Sequence, residues 1–205
     1  MNTKRFSKKA RQSGFTLVEI AIVLVIIGLI LGGVLKGQSL IDNAKYKNFV
    51  KHIDSVRAAV LTFQDQYRGL PGDLLNVSAL PAGTVQGNGS GKIDGGHCNA
   101  TGEEACRVWS HLRYAGMIAG DPTLDGEAAN PTHSYGGPVK GVGYGNWGNG
   151  IYEHKITVYA LPGDVAQRYD NEFDDGKANS GDISVYGATG ADYNLTTTVT
   201  LQVAL

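Results

Sequence analysis

The sequence predicts an α+β protein in which a long N-terminal helix, membrane-spanning over its first part, packs on a small antiparallel β-sheet head. Three observations lead to this fold class. An apolar run occupies residues 15–35, an apolar stripe at helical spacing continues to Tyr67, and runs rich in β-branched and aromatic residues follow position 150. A long helix followed by late strands linked by turns is typical of an α+β arrangement.

The apolar run has the length of a membrane-spanning helix, because about 20 residues cross a hydrocarbon core. A secretory signal peptide is the competing interpretation, but its apolar region is usually only about 7–15 residues long and ends at a small-residue cleavage site. The first five charged residues of the chain are all positive, and they precede the run. The positive-inside rule therefore predicts that residues 1–14 stay cytoplasmic and that residues 36–205 are exported.

Glu19 is the only ionisable side chain in the apolar run. A carboxylate inside a membrane is costly, by about 2.5–3.5 kcal/mol for a central acidic group, and it usually has a partner. No cationic side chain lies near it within the run. Cleavage after Gly14 would place a positive amine on Phe15, one helical turn away, and the amine of a neighbouring subunit would serve equally well. Such a pairing would set the register between adjacent subunits.

The residues around this carboxylate resemble the class III signal of type IV prepilins and type II secretion pseudopilins. The likeness rests on the basic leader, Gly14, the sequence Phe15-Thr16-Leu17-Val18-Glu19 and the long apolar helix that follows. It implies a pilin-like fold, cleavage after Gly14 by a membrane prepilin peptidase and N-methylation of Phe15. It also implies that Glu19 neutralises the amine of a neighbouring subunit during filament assembly.

The chain is thus predicted to divide into a cleaved cytoplasmic leader (1–14), a long helix (15–67) and a globular head (68–205). Four glycines weaken the first half of the helix, each by about 1 kcal/mol relative to alanine: Gly28, Gly32, Gly33 and Gly37. They suit close helix packing in a membrane, and they equally suit local unwinding when subunits pack into a filament.

The head begins with a glycine-rich tract, residues 83–150, which holds 17 of the 29 glycines and is predicted to be mostly irregular loop. One helical segment, Glu103–Ile118, interrupts it. Two Leu-Pro-Gly-Asp sequences, at 70–73 and 161–164, are each predicted to form a turn. Residues 151–205 are predicted to supply a short helix and three strands: Asp164–Phe173, then Ile156–Leu161, Ile183–Tyr186 and Leu195–Leu205.

Cys98 and Cys106 are the only two cysteines in the chain. Export would place them in an oxidising compartment, so we predict a disulfide that fixes the loop between them. A zinc site is the alternative, because His97 and His111 are nearby, but the spacing matches no zinc pattern.

Four aspartates form a group that could hold calcium through carboxylate oxygens: Asp170, Asp174, Asp175 and Asp182. The family resemblance adds support to this interpretation, since it implies calcium binding in a C-terminal loop, as in major secretion pseudopilins. Residues 88–94 are a weaker candidate, because they lack the closing Glu of an EF-hand. The alternative for both is that Asp and Gly form solvated turns. No pattern requires a cofactor, and calcium is the one candidate.

The remaining patterns argue against an enzyme and against a nucleic-acid binder. Lys and Arg number 18 against 19 Asp and Glu, so the chain is not generally basic. No convergent catalytic group is apparent, and the G-x-G-x-x-G match at 143–148 lacks the expected flanking strand and helix. If the head has a binding face, Tyr135, Tyr144 and Trp147 would carry it.

The sequence therefore predicts a structural subunit that polymerises through its apolar helix into a homo-oligomeric helical filament. Its precursor would cross the inner membrane once with the N-terminus inside, and the mature subunit would lie in a periplasmic or cell-surface filament. The expected partners are the prepilin peptidase and the pilus or secretion assembly machinery. A type II secretion pseudopilin or a minor pilin is the first alternative, and a membrane-anchored adhesin or binding module is the second.

Overall fold

The computed structural model describes residues 14–146 and 152–205. The chain forms two compact units, of which the first ends at Ala44 and the second runs from Lys45 to Leu205. Helix α1, Leu17–Tyr67, supplies residues to both units. Of the predicted leader, only Gly14 lies within the described residues.

The second unit combines helices with a small sheet. Besides its part of α1, its described helices are α2 (Glu104–Tyr114), a 3₁₀ turn (Gly126–Ala129) and α3 (Gly163–Phe173). Its described strands are β1 (Val139–Asn146), β2 (Tyr152–Pro162), β3 (Ile183–Val185) and β4 (Thr198–Ala204). A long apolar helix together with a small antiparallel sheet confirms the predicted α+β, pilin-like fold class.

The sheet has the strand order β1-β2-β4-β3, and every neighbouring pair is antiparallel. The middles of its two central strands are buried on both faces. On the apolar face, Ile156 lies opposite Val203 and Val158 opposite Leu201. These side chains share one core with the buried stripe of α1, which consists of Tyr46, Phe49, Ile53, Val56, Ala59, Val60 and Phe63. The Arg57 guanidinium on the same helix donates to the Ala204 carbonyl at 2.7 Å, beside the end of β4.

Strand β1 lies inside the tract that the sequence predicted to be mostly irregular loop, so that prediction was wrong for Val139–Asn146. Three glycines in the strand hide its alternation, and for two of them, Gly141 and Gly143, the absent side chain has a structural reason. Gly143 lies against the backbone of Gly96, which leaves no room for a Cβ. Gly141 has a φ of +102° beside a register shift between Val139 and Val142.

The two Leu-Pro-Gly-Asp sequences have different structures, although the sequence predicted a turn at each. Residues 70–73 do form a turn region after α1, whereas residues 161–164 pass directly from β2 into α3. The Asp73 carboxylate is buried, but Asp164 is exposed in the first turn of α3. The prediction of a turn was therefore wrong for the second copy.

Candidate assembly and processing site

The N-terminal end of α1 is closed by a reciprocal pair of side chains, Thr16 and Glu19. The Thr16 N–H and hydroxyl both donate to Glu19 Oε2 at 2.8 Å, and the Glu19 N–H donates to Thr16 Oγ1 at 3.2 Å. This is a capping box, which satisfies backbone donors that the first helical turn would leave unpaired. The negative carboxylate also lies at the positive end of the helix dipole. Glu19 therefore has partners within its own chain.

Sequence reasoning looked for a cation beside Glu19 and missed this arrangement. The signal was present, because Thr followed three residues later by Glu at the start of a helix is the capping-box pattern. The predicted processing residues lie immediately before it. Gly14 has open space around it, with nothing within 4 Å of where a Cβ would stand, and the Phe15 side chain is 85% exposed.

Every large apolar side chain of α1 before Lys45 is exposed. This helix is the one among the described residues that is long and apolar enough to cross a membrane. Exposed apolar surface on this scale marks contact with a membrane or a partner. The residues concerned are Leu17, Val18, Ile20, Ile22, Val23, Leu24, Val25, Ile26, Ile27, Leu29, Ile30, Leu31, Val34, Leu35, Leu40 and Ile41.

The four glycines of this half are also open to their surroundings. Nothing lies within 4 Å of a Cβ built on any of them, and α1 is helical throughout. Small residues of this kind let a neighbouring helix approach the backbone closely. The positions are Gly28, Gly32, Gly33 and Gly37.

In the head, a disulfide joins Cys98 to Cys106, with the Cα atoms 4.6 Å apart. It connects the loop before α2 to the first turn of that helix. The Cys98 N–H donates to the Lys140 carbonyl on β1 at 2.7 Å, and the Asn130 amide donates to the Cys98 carbonyl at 3.0 Å. The crosslink thus fixes a loop that also bonds to the sheet.

The arrangement does not suit the zinc alternative. Bonded to each other, the two sulfur atoms offer no thiolate ligand. His111 is buried, and both of its ring nitrogens are engaged, since Nδ1 accepts from the Gly72 N–H at 2.9 Å and Nε2 donates to the Val85 carbonyl at 2.7 Å. Burial lowers the pKa of His111, so the neutral ring with its proton on Nε2 holds the 72–85 segment against α2.

The predicted calcium group is assembled in part. Oxygen atoms of Asp170, Asp174 and Asp175 lie within 4.8 Å of one another. Asp182 is not a member of this group and is exposed. The Asp170 carboxylate accepts from the Tyr193 hydroxyl at 2.7 Å and the Gly176 N–H at 3.2 Å.

The three carboxylates of this cluster influence one another's charge and accept hydrogen bonds from nearby groups. Burial raises the pKa of Asp170, and the neighbouring carboxylates of Asp174 and Asp175 raise it further, against the opposing effect of its two hydrogen bonds. Asp174 Oδ2 accepts from the Ile183 N–H at 2.8 Å. Asp175 accepts from the Ser180 hydroxyl at 2.8 Å. Each carboxylate oxygen has a second lone pair, so these bonds leave room for a cation.

The weaker calcium candidate, residues 88–94, has a different organisation. Two buried carboxylates outside the loop take up its backbone N–H groups. Asp73 accepts from Ser90 and Gly91 at 2.9 and 2.8 Å, and Glu104 accepts from residues 88 and 94 at 2.9 Å each. By accepting these hydrogen bonds, Asp73 fixes the loop to the turn after α1 and Glu104 fixes it to α2.

The three aromatic residues proposed for a binding face do not form one cluster among the described residues. Tyr135 lies against Phe49 of α1, with ring centroids 6.2 Å apart. Tyr144 lies against His154 at 5.1 Å, with the Lys92 ammonium 4.9 Å from its ring. Trp147 lies outside the described residues. The two tyrosines therefore have different neighbours and different structural roles.

Comparison with known families gives a match at the N-terminus. Residues 9–35 match the family model described as the prokaryotic N-terminal methylation motif. This match spans Gly14, Phe15, the capping box and the apolar run, and it identifies a class III signal sequence of the type IV prepilin and pseudopilin kind. Comparisons with curated proteins and with solved structures gave no significant match.

Proposed function

We propose that the chain whose N-terminus carries this methylation motif is a structural subunit of a type IV pilus-like filament. The observation that carries the proposal is the coincidence of the motif at residues 9–35 with a helix whose apolar side chains are exposed. A helix of this kind needs a membrane before assembly and other subunits afterwards. The motif indicates a structural subunit rather than an enzyme.

Processing would begin with cleavage after Gly14 by the prepilin peptidase, followed by N-methylation of Phe15. The product carries a positive amine next to Thr16, and the capping box holds the Glu19 carboxylate within one turn of it. In the membrane, the helix N-terminus satisfies Glu19. In the filament, the amine of a neighbouring subunit takes over that role, and the exchange sets the register of the helices.

Polymerisation would then bury the apolar half of α1 between subunits. The glycines at positions 28, 32, 33 and 37 support this step, because their open backbone lets neighbouring helices come close. The precursor would lie in the inner membrane with its N-terminus inside, and the mature subunit in a periplasmic or cell-surface filament. The pilus or secretion assembly machinery would drive the transfer.

A pseudopilin of a type II secretion system, or a minor pilin, would use the same N-terminus and the same assembly step. Sheared filaments distinguish these roles, since a major subunit dominates them and a minor subunit or pseudopilin is present in trace amounts. A membrane-anchored adhesin would use α1 as an anchor alone, and it would be absent from sheared filaments.

We further propose calcium as a ligand of the aspartate cluster at the end of α3. Three carboxylates whose oxygens lie within 4.8 Å carry like charges, and one of them is buried. Calcium prefers such oxygen ligands and takes six to eight of them at about 2.3–2.6 Å. Asp170, Asp174 and Asp175 would hold the ion, with nearby backbone carbonyls completing the set. The ion would neutralise the crowded charge and fix the turn before β3.

Substitution of Glu19 tests the filament proposal. Glu19→Ala in the full chain should leave the precursor in the membrane but lower the yield of sheared filaments by at least about tenfold, because the intersubunit ion pair is lost. The yield is measured by immunoblot of sheared and membrane fractions. Asp42→Ala is the matched control, since it removes the next acidic side chain of α1 beyond the apolar run. Wild-type filament yield from Glu19→Ala would support the anchor-only alternative.

A further inference from the structure

A small loop of the head, residues 131–138, contacts α1 where the buried stripe of that helix begins. The Ser134 hydroxyl donates to the Lys45 carbonyl at 2.8 Å. The fully buried ring of Phe49 lies edge-on against the His133 ring, with centroids 5.8 Å apart. The loop and this turn of α1 thus form one contact, which we call the Phe49 clasp.

His133 fits the closed clasp only as a neutral ring. It is buried, with Nε2 2.9 Å from the Tyr159 carbonyl on β2 and Nδ1 3.2 Å from the Tyr135 nitrogen. A carbonyl only accepts and a backbone N–H only donates, so the single ring proton is on Nε2 and Nδ1 accepts. A second proton would go to Nδ1, where it would face the Tyr135 N–H and break that hydrogen bond.

A second histidine lies on α1 beside the same contact. His52 follows Phe49 by three residues, so the two side chains are neighbours on one side of the helix. His52 is half-buried, and its Nε2 is buried without a hydrogen-bond partner among the described residues. Burial lowers the pKa of His52, and repulsion by a charge on His133 lowers it further. Burial also lowers the pKa of His133, against the opposing effect of its bond to the Tyr159 carbonyl.

No acidic partner compensates for protons added to these two rings. Within residues 14–146 and 152–205, neither ring has a carboxylate within 4 Å. The other titratable or charged side chains around the clasp come from α1, the loop and α3: Lys45, Lys51, Asp54, Tyr135 and Tyr169. Those on α1 are exposed and positive on balance, and phenols are neutral at acid pH. Protonation would therefore place like charges in the clasp without a counter-ion.

We infer that His52 and His133 make the Phe49 clasp acid-sensitive, so that their protonation releases the loop from α1 while the rest of the head stays folded. In the open form both rings would meet water and titrate near the ordinary histidine pKa of about 6.5. The closed form binds fewer protons than the open form, so opening becomes easier as pH falls below about 6.5. Opening would expose the Phe49 ring and give the head an apolar surface that it lacks at neutral pH. This response is separate from the proposed filament role.

Hydrogen exchange of the full chain in detergent micelles, followed by mass spectrometry, tests the inference. Protection at pH 7.5 and pH 5.5 is compared after correction for the intrinsic exchange rates. A histidine that is neutral only in the closed form raises the opening constant by about tenfold over this interval. Peptides covering residues 131–138 should therefore lose protection by about tenfold or more in wild type, while peptides from β2 and β4 keep theirs.

His52→Gln is the decisive variant, because it removes one titrating ring that makes no hydrogen bond among the described residues. It should reduce the loss of protection at least about threefold. Ser134→Ala is the matched control, since it removes the bond to Lys45 but no titrating group. Its loop should be less protected at both pH values and show the wild-type response to acid.

His133→Gln provides a second check, because its amide can still donate to the Tyr159 carbonyl but takes up no proton. Combined with His52→Gln, it should reduce the difference between the two pH values to less than about twofold. Equal responses in wild type and His52→Gln would overturn the inference. So would a parallel loss of protection in β2 and β4, which would mean that acid unfolds the whole head.

Discussion

Thr16 and Glu19 illustrate how a pair of side chains can serve two states of one molecule. Thr16 uses both its backbone N–H and its hydroxyl to hold the carboxylate, and it receives the Glu19 N–H in return. This arrangement lowers the cost of keeping an acidic group at the edge of a membrane helix, because the carboxylate accepts hydrogen bonds from its own chain. If the chain is cleaved after Gly14 as proposed, the same arrangement holds the carboxylate beside the site where the new amine would appear.

Thr16→Val removes the hydroxyl and keeps the shape of the side chain. The Glu19 N–H then loses its acceptor, and the loss of a cap costs about 1 kcal/mol. We expect the Glu19 amide to exchange with solvent about fivefold faster, as measured by NMR hydrogen exchange in detergent micelles.

Thr16→Ser is the control for this change, because it retains the hydroxyl and should retain the protection. Unchanged exchange in Thr16→Val would mean that the capping box does not form in the micelle.

Asp170 couples the stability of the head to pH. Its pKa is raised by burial and by Asp174 and Asp175, so the folded state binds this proton more tightly than the unfolded state. The resulting stabilisation is present at low pH and is lost as pH rises from about 4 through the folded-state pKa. Calcium would replace the missing proton at neutral pH.

Thermal unfolding of wild type and Asp170→Asn between pH 4 and 7 measures this effect. We expect the Tm of wild type to fall relative to the variant as pH rises, and added calcium to reverse the fall in wild type alone. Asp164→Asn, an exposed aspartate on the same helix, should follow the wild-type profile. Parallel profiles for wild type and Asp170→Asn would refute the coupling, and no response to calcium would refute the metal proposal.

Among the elements, the helices with a clear periodic pattern of apolar residues were predicted, whereas the glycine-rich strand β1 was not. The sequence predicted helices at 103–118 and 164–173, and the structure has α2 and α3 there with slightly different ends. Strand β1 escaped prediction because Gly141, Gly143 and Gly145 interrupt its apolar alternation. At Gly141 and Gly143 a side chain would collide with the backbone of Ala105 and Gly96, and that requirement is tertiary.

Local sequence was also insufficient for the two Leu-Pro-Gly-Asp sequences, because the same four residues have different tertiary surroundings at 70–73 and at 161–164. The Asp73 carboxylate accepts hydrogen bonds from the N–H groups of Ser90 and Gly91, which belong to a loop that follows later in the chain. Asp164 has the same three residues before it and begins a helix at the surface. Pairing with β4 extends β2 through Pro162, so the second copy cannot turn as the first does.

The disulfide stabilises the folded head by crosslinking the loop before α2. Closing so short a loop stabilises the folded head by about 2.5 kcal/mol in the chain-entropy account. Cys98→Ser with Cys106→Ser should therefore lower the free energy of unfolding by about that amount, measured by guanidinium titration of the full chain in detergent.

Wild-type protein treated with dithiothreitol provides the comparison, because reduction removes the crosslink without changing the sequence. Its midpoint should move in the same direction as that of the double variant. An unchanged midpoint in both would show that the loop is held by its hydrogen bonds alone.

For the molecule as a whole, the sequence correctly indicated one apolar helix followed by an α+β head. It could do so because membrane length and helical periodicity are local properties of the chain. Part of the candidate site could be proposed from the sequence for the same reason, since Gly14, Phe15 and Glu19 lie within six residues of one another. Membership of the aspartate cluster depended on the fold. Residues 181 and 183 both lie against Asp174, yet the exposed Asp182 side chain is not part of the group.

The head should fold without the apolar half of α1. Every buried residue of that helix lies from Tyr46 onwards, and the second compact unit begins at Lys45. We expect a fragment of residues 45–205 to be soluble without detergent and to unfold cooperatively, as measured by gel filtration and thermal circular dichroism. It should form no filaments, because the assembly helix is missing.

Phe49→Ala in this fragment verifies that the native core is present. Phe49 is fully buried, with its ring 5.3 Å from that of Tyr169, and its truncation should cost about 3–5 kcal/mol. An aggregated fragment, or one insensitive to this substitution, would mean that the head depends on the preceding helix for its fold.

The outer edges of the sheet are both covered by the chain itself. Along β1, the Tyr144 N–H donates to the Ile93 carbonyl and the Lys140 carbonyl accepts from Cys98. At the other edge, β3 is only three residues long, and its Ile183 and Val185 N–H groups bond to Asp174 and to the Ala178 carbonyl. Strand addition from another head therefore has no unpaired ladder to extend at these positions. In the proposed filament, subunits could therefore crowd together at high local concentration without fusing their sheets, and reduction of the disulfide would weaken that protection along β1.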